Sequence, residues 1–135
     1  RMVGAFAIHG DVASWEPAVR AEAARHVEAF KAVRHLLPQD FYPLTRQPAG
    51  VEDWDAVQFV DYEGSESAVF AFRMGGDQDE RRLPLRGLRP GKRYTVTQPL
   101  ATYGPTELAV SDSGAVELPV RLDSDQGKLY HVRLG

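Results

Sequence analysis

The hydrophobic period of this chain changes once, from a helical repeat to a strand repeat. That change limits the folds open to it. Val19, Ala23, Val27, Phe30, Val33 and Leu37 recur every three or four residues, the spacing that gathers side chains on one stripe of a helix. From Trp54 onward the repeat is two, which sends alternate side chains to opposite faces of a strand. The chain therefore reads as one long helix followed by a mainly β module. At 135 residues it has room for one ordinary domain, or for a small domain plus a fragment of another.

The helix has recognisable ends. Pro17 suits its first turn, where the missing N–H is not needed. Ser14 and Glu16 are candidate caps, and Glu16 and Glu22 favour the positive end of the helix dipole. Arg20, Arg25, Glu28, Lys31 and Arg34 lie mostly off the apolar stripe, His26 lies beside it, and Glu28 is spaced to pair with Lys31. Pro38 ends the helix. Before it, Val3–Ile8 is an unbroken apolar run, which fits a strand buried on both faces of a parallel sheet. A lone strand–helix pair cannot bury both faces of its strand. Its neighbours are expected upstream, and an opening on Arg1 in place of Met predicts likewise that this is a piece of a longer polypeptide.

Residues 38–52 read as a connector containing Pro38, Pro43, Pro48 and Gly50, with Phe41 and Tyr42 pinning it to a surface. Val57 and Phe59 alternate with Gln58. A Glu63-Gly64-Ser65 turn leads into Ser67–Met74, apolar on both faces and so central, which reads as a hairpin. Leu83 and Leu85 alternate with Arg82 and Arg86, and Pro84 makes that run an edge strand. A Pro90-Gly91 turn precedes Tyr94 and Val96. Residues 99–106 read as a loop. Val116, Leu118, Val120 and Leu122 alternate, and Tyr130, Val132 and Leu134 make the last strand. Six to eight strands with turns about every ten residues argue an antiparallel sandwich over residues 53–135.

Charge and composition exclude several functions. Lys and Arg number 16 against 19 Asp and Glu, for a net charge of -3, so nothing here asks for nucleic acid. The uninterrupted apolar run Met2–Ile8 is too short to span a membrane. The absence of cysteine removes disulfides, zinc–thiolate sites and thiol nucleophiles, and fits the cytoplasm. His9, His26, His35 and His131 form no metal-binding pair. His35 sits in the last helical turn, where a cation is favoured, and His131 lies on the parity opposite the core residues and is expected to be exposed. No glycine-rich loop precedes a helix, and no GxSxG motif is present. No metal and no cofactor is expected.

Three patterns carry possible chemistry. Asp53 and Asp55 alternate across Trp54, about 6–7 Å apart along one strand face, a spacing tolerable for glycoside hydrolysis. A catalytic pair usually comes from two separate elements around a pocket, so a solvated strand entrance around a buried Trp is the better account. Asp123 to Gly127 departs from a calcium loop in glycine position and in its twelfth residue, and reads as a hairpin turn. Trp54, Tyr62 and Tyr103 are candidates for stacking on sugar, with Tyr42 beside them; core or interdomain packing is the better account of Trp54, Tyr62 and Tyr103.

Several segments together resemble one family. The Gly4–Asp11 run, Trp15 and the helix from Arg25 to Leu37 look like the end of the catalytic (β/α)8 barrel of family 36 glycoside hydrolases, the α-galactosidases or melibiases. Asp40-Phe41-Tyr42-Pro43-Leu44 looks like the family's GDFYRL step out of the barrel. Asp53-Trp54-Asp55-Ala56-Val57-Gln58-Phe59 is similar to its WDxWQF strand. Ala71–Arg73, Leu83–Leu88, Tyr94–Val96 and Leu129–Val132 resemble the C-terminal sandwich that follows. Val57 stands where a second Trp is common and Gln39 where Gly is common, and Thr102–Asp112 matches nothing in the pattern.

The resemblance implies an antiparallel β-sandwich preceded by the last strand and helix of a barrel: residues 1–37 as barrel end, 38–52 as connector and 53–135 as sandwich. It implies a parent hydrolase acting on terminal α-linked galactose, with two catalytic aspartates on earlier barrel strands. Neither of their motifs lies here, so no catalytic residue is carried over and the chain alone is expected to be inert. His9 and Asp11 would fall in the loop after the last barrel strand, with Asp11 as a local capping residue. The expected partner is the upstream barrel of the same polypeptide, with a homo-oligomer as a further possibility. A carbohydrate-binding sandwich using surface aromatics is the alternative. The structural reading predicts an exposed apolar patch near Phe6, Phe30 and Phe41.

Overall fold

The structure, a computed structural model, describes residues 6–50, 53–102 and 104–135. Helix α1 spans Pro17–Val33 and runs on into a 3-10 turn at Arg34–Leu36. The strands among the described residues are β1 (Asp40–Pro43), β2 (Trp54–Val60), β3 (Glu66–Arg73), β4 (Glu80–Pro84), β5 (Arg93–Thr97), β6 (Thr106–Ala109), β7 (Glu117–Arg121) and β8 (Gln126–Leu134). Six of them form a sheet in the order β1-β2-β3-β8-β5-β6, and β4 pairs with β7 in a second, two-stranded sheet. Every pairing is antiparallel.

The register decides which residues meet. Strands place alternate side chains on opposite faces. On one face of the large sheet Trp54, Ala56, Val60, Val69, Ala71, Tyr94 and Val96 meet Leu83, Leu118 and Val120 of the small sheet. On the other face Phe59, Ala68, Phe70 and Leu129 meet Ala29, Val33 and Leu36. The molecule thus has three layers: helix, large sheet and small sheet. This explains why β3 is apolar on both faces, since each face is covered by a different layer. Gln58 shares the inner parity of β2 and is fully buried. Its Nε2 donates to Ser67 Oγ and to the Arg86 carbonyl, each at 3.0 Å, and its Oε1 accepts from the Arg86 N–H at 2.9 Å. A buried amide satisfied on both ends costs little, and this one ties the large sheet to the strand end after β4.

The mainly β, antiparallel architecture with one long helix is as expected, and several details differ. Residues 40–43, expected in the connector, form edge strand β1 against β2. The stretch that matched no pattern contains edge strand β6. Asp123 to Gly127 is no hairpin: it carries the chain from β7 of the small sheet to β8 of the large one, with Asp125 at φ 57°. His131 is buried, at 7% exposure, because its parity faces the layer under the helix. The expected barrel strand at Val3–Ile8 falls partly on residues 1–5, outside the described residues, and Phe6–His9 pair with no strand. At the helix start Glu16 is the N-cap without a side-chain hydrogen bond and Pro17 is at N1. Asp11 caps the preceding 3-10 turn by accepting from the Ala13 N–H at 3.2 Å.

Candidate interaction site

The helix buries only part of the stripe that its sequence advertises. Ala29 and Val33 are the buried residues of α1, and Leu36 joins them from the 3-10 turn, at 0% exposure. A 3-10 turn winds the chain more tightly than an α-helix, so Leu36 is fully buried on the sheet and Leu37 packs half-buried beside it. Ala29 presents only a methyl group, which lets the helix approach closely. Burying Leu36 and Val33 contributes roughly 1.5–3 kcal/mol each.

Polar anchors hold both ends of this seat. At the C-terminal end Glu66 of β3 accepts two hydrogen bonds: from His35 Nε2 at 2.9 Å and from His131 Nε2 at 2.5 Å. Because the carboxylate accepts, each Nε2 carries its proton. Burial works against the charge on Glu66, yet the hydrogen bonds and nearness of His35 and His131 hold its carboxyl below its ordinary range. At the N-terminal end Arg25 donates to the Leu100 carbonyl at 2.9 Å and to Glu22 Oε2 at 3.0 Å. A groove of about 400 Å³ runs beneath, lined by Glu22, His26, Gln98, Leu100, Lys128 and Leu129 among others.

The N-terminal part of the stripe faces elsewhere. At 100° per residue, Val19 and Ala23 lie within about 20° of Phe30 and roughly a quarter to a third of a turn from Ala29. Val19 is 52% exposed, and Phe30 is half-buried against Phe6, ring centroids 5.4 Å apart. On the opposite flank Arg25, Glu28 and Ala32 line a groove with Pro99, which follows β5. The Phe30 flank therefore looks toward the β1–β2 side of the sheet.

The sequence candidates separate. Trp54 is 2% exposed and its Nε1 donates to the Gln78 carbonyl at 3.0 Å. Arg81 lies 5.5 Å over its ring centroid, so Trp54 has no open face for a sugar. Tyr62, at the β2–β3 turn, is 75% exposed. Tyr103 lies outside the described residues. Asp53 Oδ2 accepts from the Ala49 N–H at 2.8 Å beside a groove with Thr45, Arg46 and Arg81, and so serves a loop. Among the described residues no group of His, Asp and Glu has metal-holding geometry, and no helix is long and apolar enough to cross a membrane. The sequence reading missed the Glu66 cluster. Its members are 31 and 65 residues apart along the chain, so no local spacing announces it.

Residues 54–130 match the model of the glycosyl hydrolase family 36 C-terminal domain. The structure is similar to that of the family 36 α-galactosidase AgaA from Geobacillus stearothermophilus, at 21% identity and a TM-score of 0.67, over 91% of this chain and 17% of that one. It is similar to the α-galactosidase from Lactobacillus brevis, at 17% identity and a TM-score of 0.69, over 93% of this chain and 18% of that one. The galactosidase domain of the α-galactosidase–sucrose kinase AgaSK aligns at 17% identity and a TM-score of 0.68, over 91% of this chain and 17% of that one. The chain thus spans under a fifth of the length of these relatives. Among curated proteins nothing matches.

Proposed function

The chain belongs to the family of glycosyl hydrolase family 36 C-terminal domains, and from that premise we propose that it is the non-catalytic tail of an α-galactosidase-like enzyme, seated against an upstream catalytic barrel. The observation that carries this reading is the two-sided helix. One side of α1 and of the turn after it is sealed onto the sandwich by Ala29, Val33 and Leu36, while Val19 is exposed and Phe30 is half-buried against Phe6. A helix apolar on more than one side is built to lie between two layers. The sandwich then acts as a cover, removing apolar surface of the barrel's last helix from water. Hydrolysis of terminal α-galactose belongs to carboxylates upstream. The cysteine-free sequence supports a cytoplasmic setting.

The test is removal. A longer polypeptide ending in this chain is expected to hydrolyse a chromogenic α-galactoside, and to lose activity and thermal stability together when residues 53–135 are deleted. Full activity and an unchanged melting temperature after the deletion would sink the proposal. Tyr62 favours the second reading, a carbohydrate-binding module, because its ring is exposed. A single ring gives one stacking face and no row of them. Calorimetric titration of the chain with galacto-oligosaccharides is expected to give no binding heat; heat that vanishes in Tyr62→Ala would favour the module.

A further inference from the structure

The Glu66 cluster joins two layers that have separate cores. Each carboxylate oxygen takes one imidazole: Oε2 accepts from His35 and Oε1 from His131. The three residues come from the turn after α1, from β3 and from β8. Glu66 pairs with Arg133 and Ala68 with His131 in register. Glu66, His131 and Arg133 therefore share the face of the large sheet on which Ala68 meets the helix. The apolar contact beside this cluster is small on the helix side: Ala29, Val33 and Leu36, with Leu37 at its margin. The sandwich core, from Leu44 and Trp54 to Val132, shares none of these residues. The helix layer can therefore open while the sandwich stays closed.

The charged neighbours on the elements packed here are Lys31 and Arg34 from the helix side, Arg133 opposite Glu66 on β8, and Asp61 from the β2–β3 turn. Lys31 is paired with Glu28 at 2.8 Å. Asp61 is turned to the Ser65 and Glu66 N–H groups, with Arg89 near it. Strand β5 brings the uncharged Thr97 opposite His131. Among the described residues, Glu66 is the carboxylate that both imidazoles share. With the imidazoles neutral, it accepts two N–H bonds. A proton added at Nδ1 in mild acid makes each bond an ion pair as well. In stronger acid Glu66 itself is neutralised, and two imidazoliums then stand beside Arg133 with no anion between them. We propose that this cluster is a pH-gated latch on the helix layer. It holds the Arg34–Leu36 turn most firmly in mild acid and loosens toward alkaline pH. In strong acid it lets the helix lift from Phe59 and Phe70 while the sandwich stays folded. The lowered titration of Glu66 supports this order, because the carboxylate keeps its charge while the imidazoles gain theirs.

Hydrogen–deuterium exchange of the 135-residue chain tests the latch. It is followed by peptide mass spectrometry across pH, with each rate divided by the intrinsic rate at that pH. Peptides over residues 28–37 report the helix seat, and peptides over residues 117–121 report the small sheet. Protection of the seat is expected to peak near about pH 5–6. It falls about threefold toward about pH 8 and at least roughly tenfold toward about pH 3.5, while protection of the small sheet stays nearly constant. Glu66→Gln keeps an acceptor without the charge, and is expected to lower the seat's protection and flatten its profile. Circular dichroism checks the fold. If Glu66→Gln unfolds, His35→Gln, at a half-exposed side chain, is expected to keep a donor and lose part of the peak. A seat profile without a maximum overturns the proposal. So does small-sheet protection that falls in step with the seat in acid, or a variant whose profile matches that of the unaltered chain.

Discussion

At Gly64 the backbone takes φ +66°, and a Cβ there would sit 2.3 Å from the Gly87 carbonyl oxygen. The Gly64 carbonyl also accepts from the Tyr94 hydroxyl, which in turn accepts from the Arg89 N–H at 2.8 Å. The glycine is thus required by conformation and by contact. Gly64→Ala is expected to cost roughly 3 kcal/mol, from left-handed strain plus overpacking, measurable as a lower urea midpoint; an unchanged midpoint would show that the turn relaxes freely. Next to it, Asp61 accepts from the Ser65 and Glu66 N–H groups at 2.6 and 2.9 Å and from the Ser65 hydroxyl. Burial opposes its charge, but these bonds and Arg89 hold its carboxyl below the ordinary value of 3.8. Glu66 is held below its ordinary 4.5. Both groups have folded-state values lowered relative to the unfolded chain. Their contribution is present above the ordinary carboxylate range and is lost as pH falls through the lowered values. Urea midpoints are expected to drop below about pH 4, with a shallower drop in Glu66→Gln; identical acid profiles would remove Glu66 from the account.

At the scale of elements, most strands were legible because alternation and turn residues agree. The β2–β3 hairpin, the Pro84 edge and the last strand stand where pattern and turn put them. The misses have physical causes. Strand β6 carries only Leu108 toward the core, too little for alternation to register. Gln58 sits inside because its amide is satisfied there, which no period reveals. The helix was found but its roll was only partly legible: periodicity selects Val19 and Phe30 along with Val33, whereas the structure gives the sheet Val33 together with Ala29 and Leu36. That difference is testable. Leu36→Ala is expected to destabilise the chain by about 2–5 kcal/mol through the cavity it leaves, while Val19→Ala stays within about 0.5 kcal/mol. Equal losses at the two positions would mean that the sequence stripe is the seat after all.

At the scale of the molecule, three layers account for most of the apolar pattern, and Val19 of α1 and Phe41 of β1 are among the large apolar side chains left exposed. Under the proposed function, a helix buried on one side and exposed on another belongs to a unit that completes a larger body. No single segment carried that conclusion in the sequence. Motif order and spacing suggested the family, while the exposure of Val19 and Phe41 needed the roll of α1 and the register of β1 on β2. The most direct measurement of the central claim is hydrolysis of a chromogenic α-galactoside by the 135-residue chain alone, at high protein concentration. The account predicts no release above the buffer blank. Turnover that disappears in Asp55→Asn would contradict it and make this chain an enzyme in its own right.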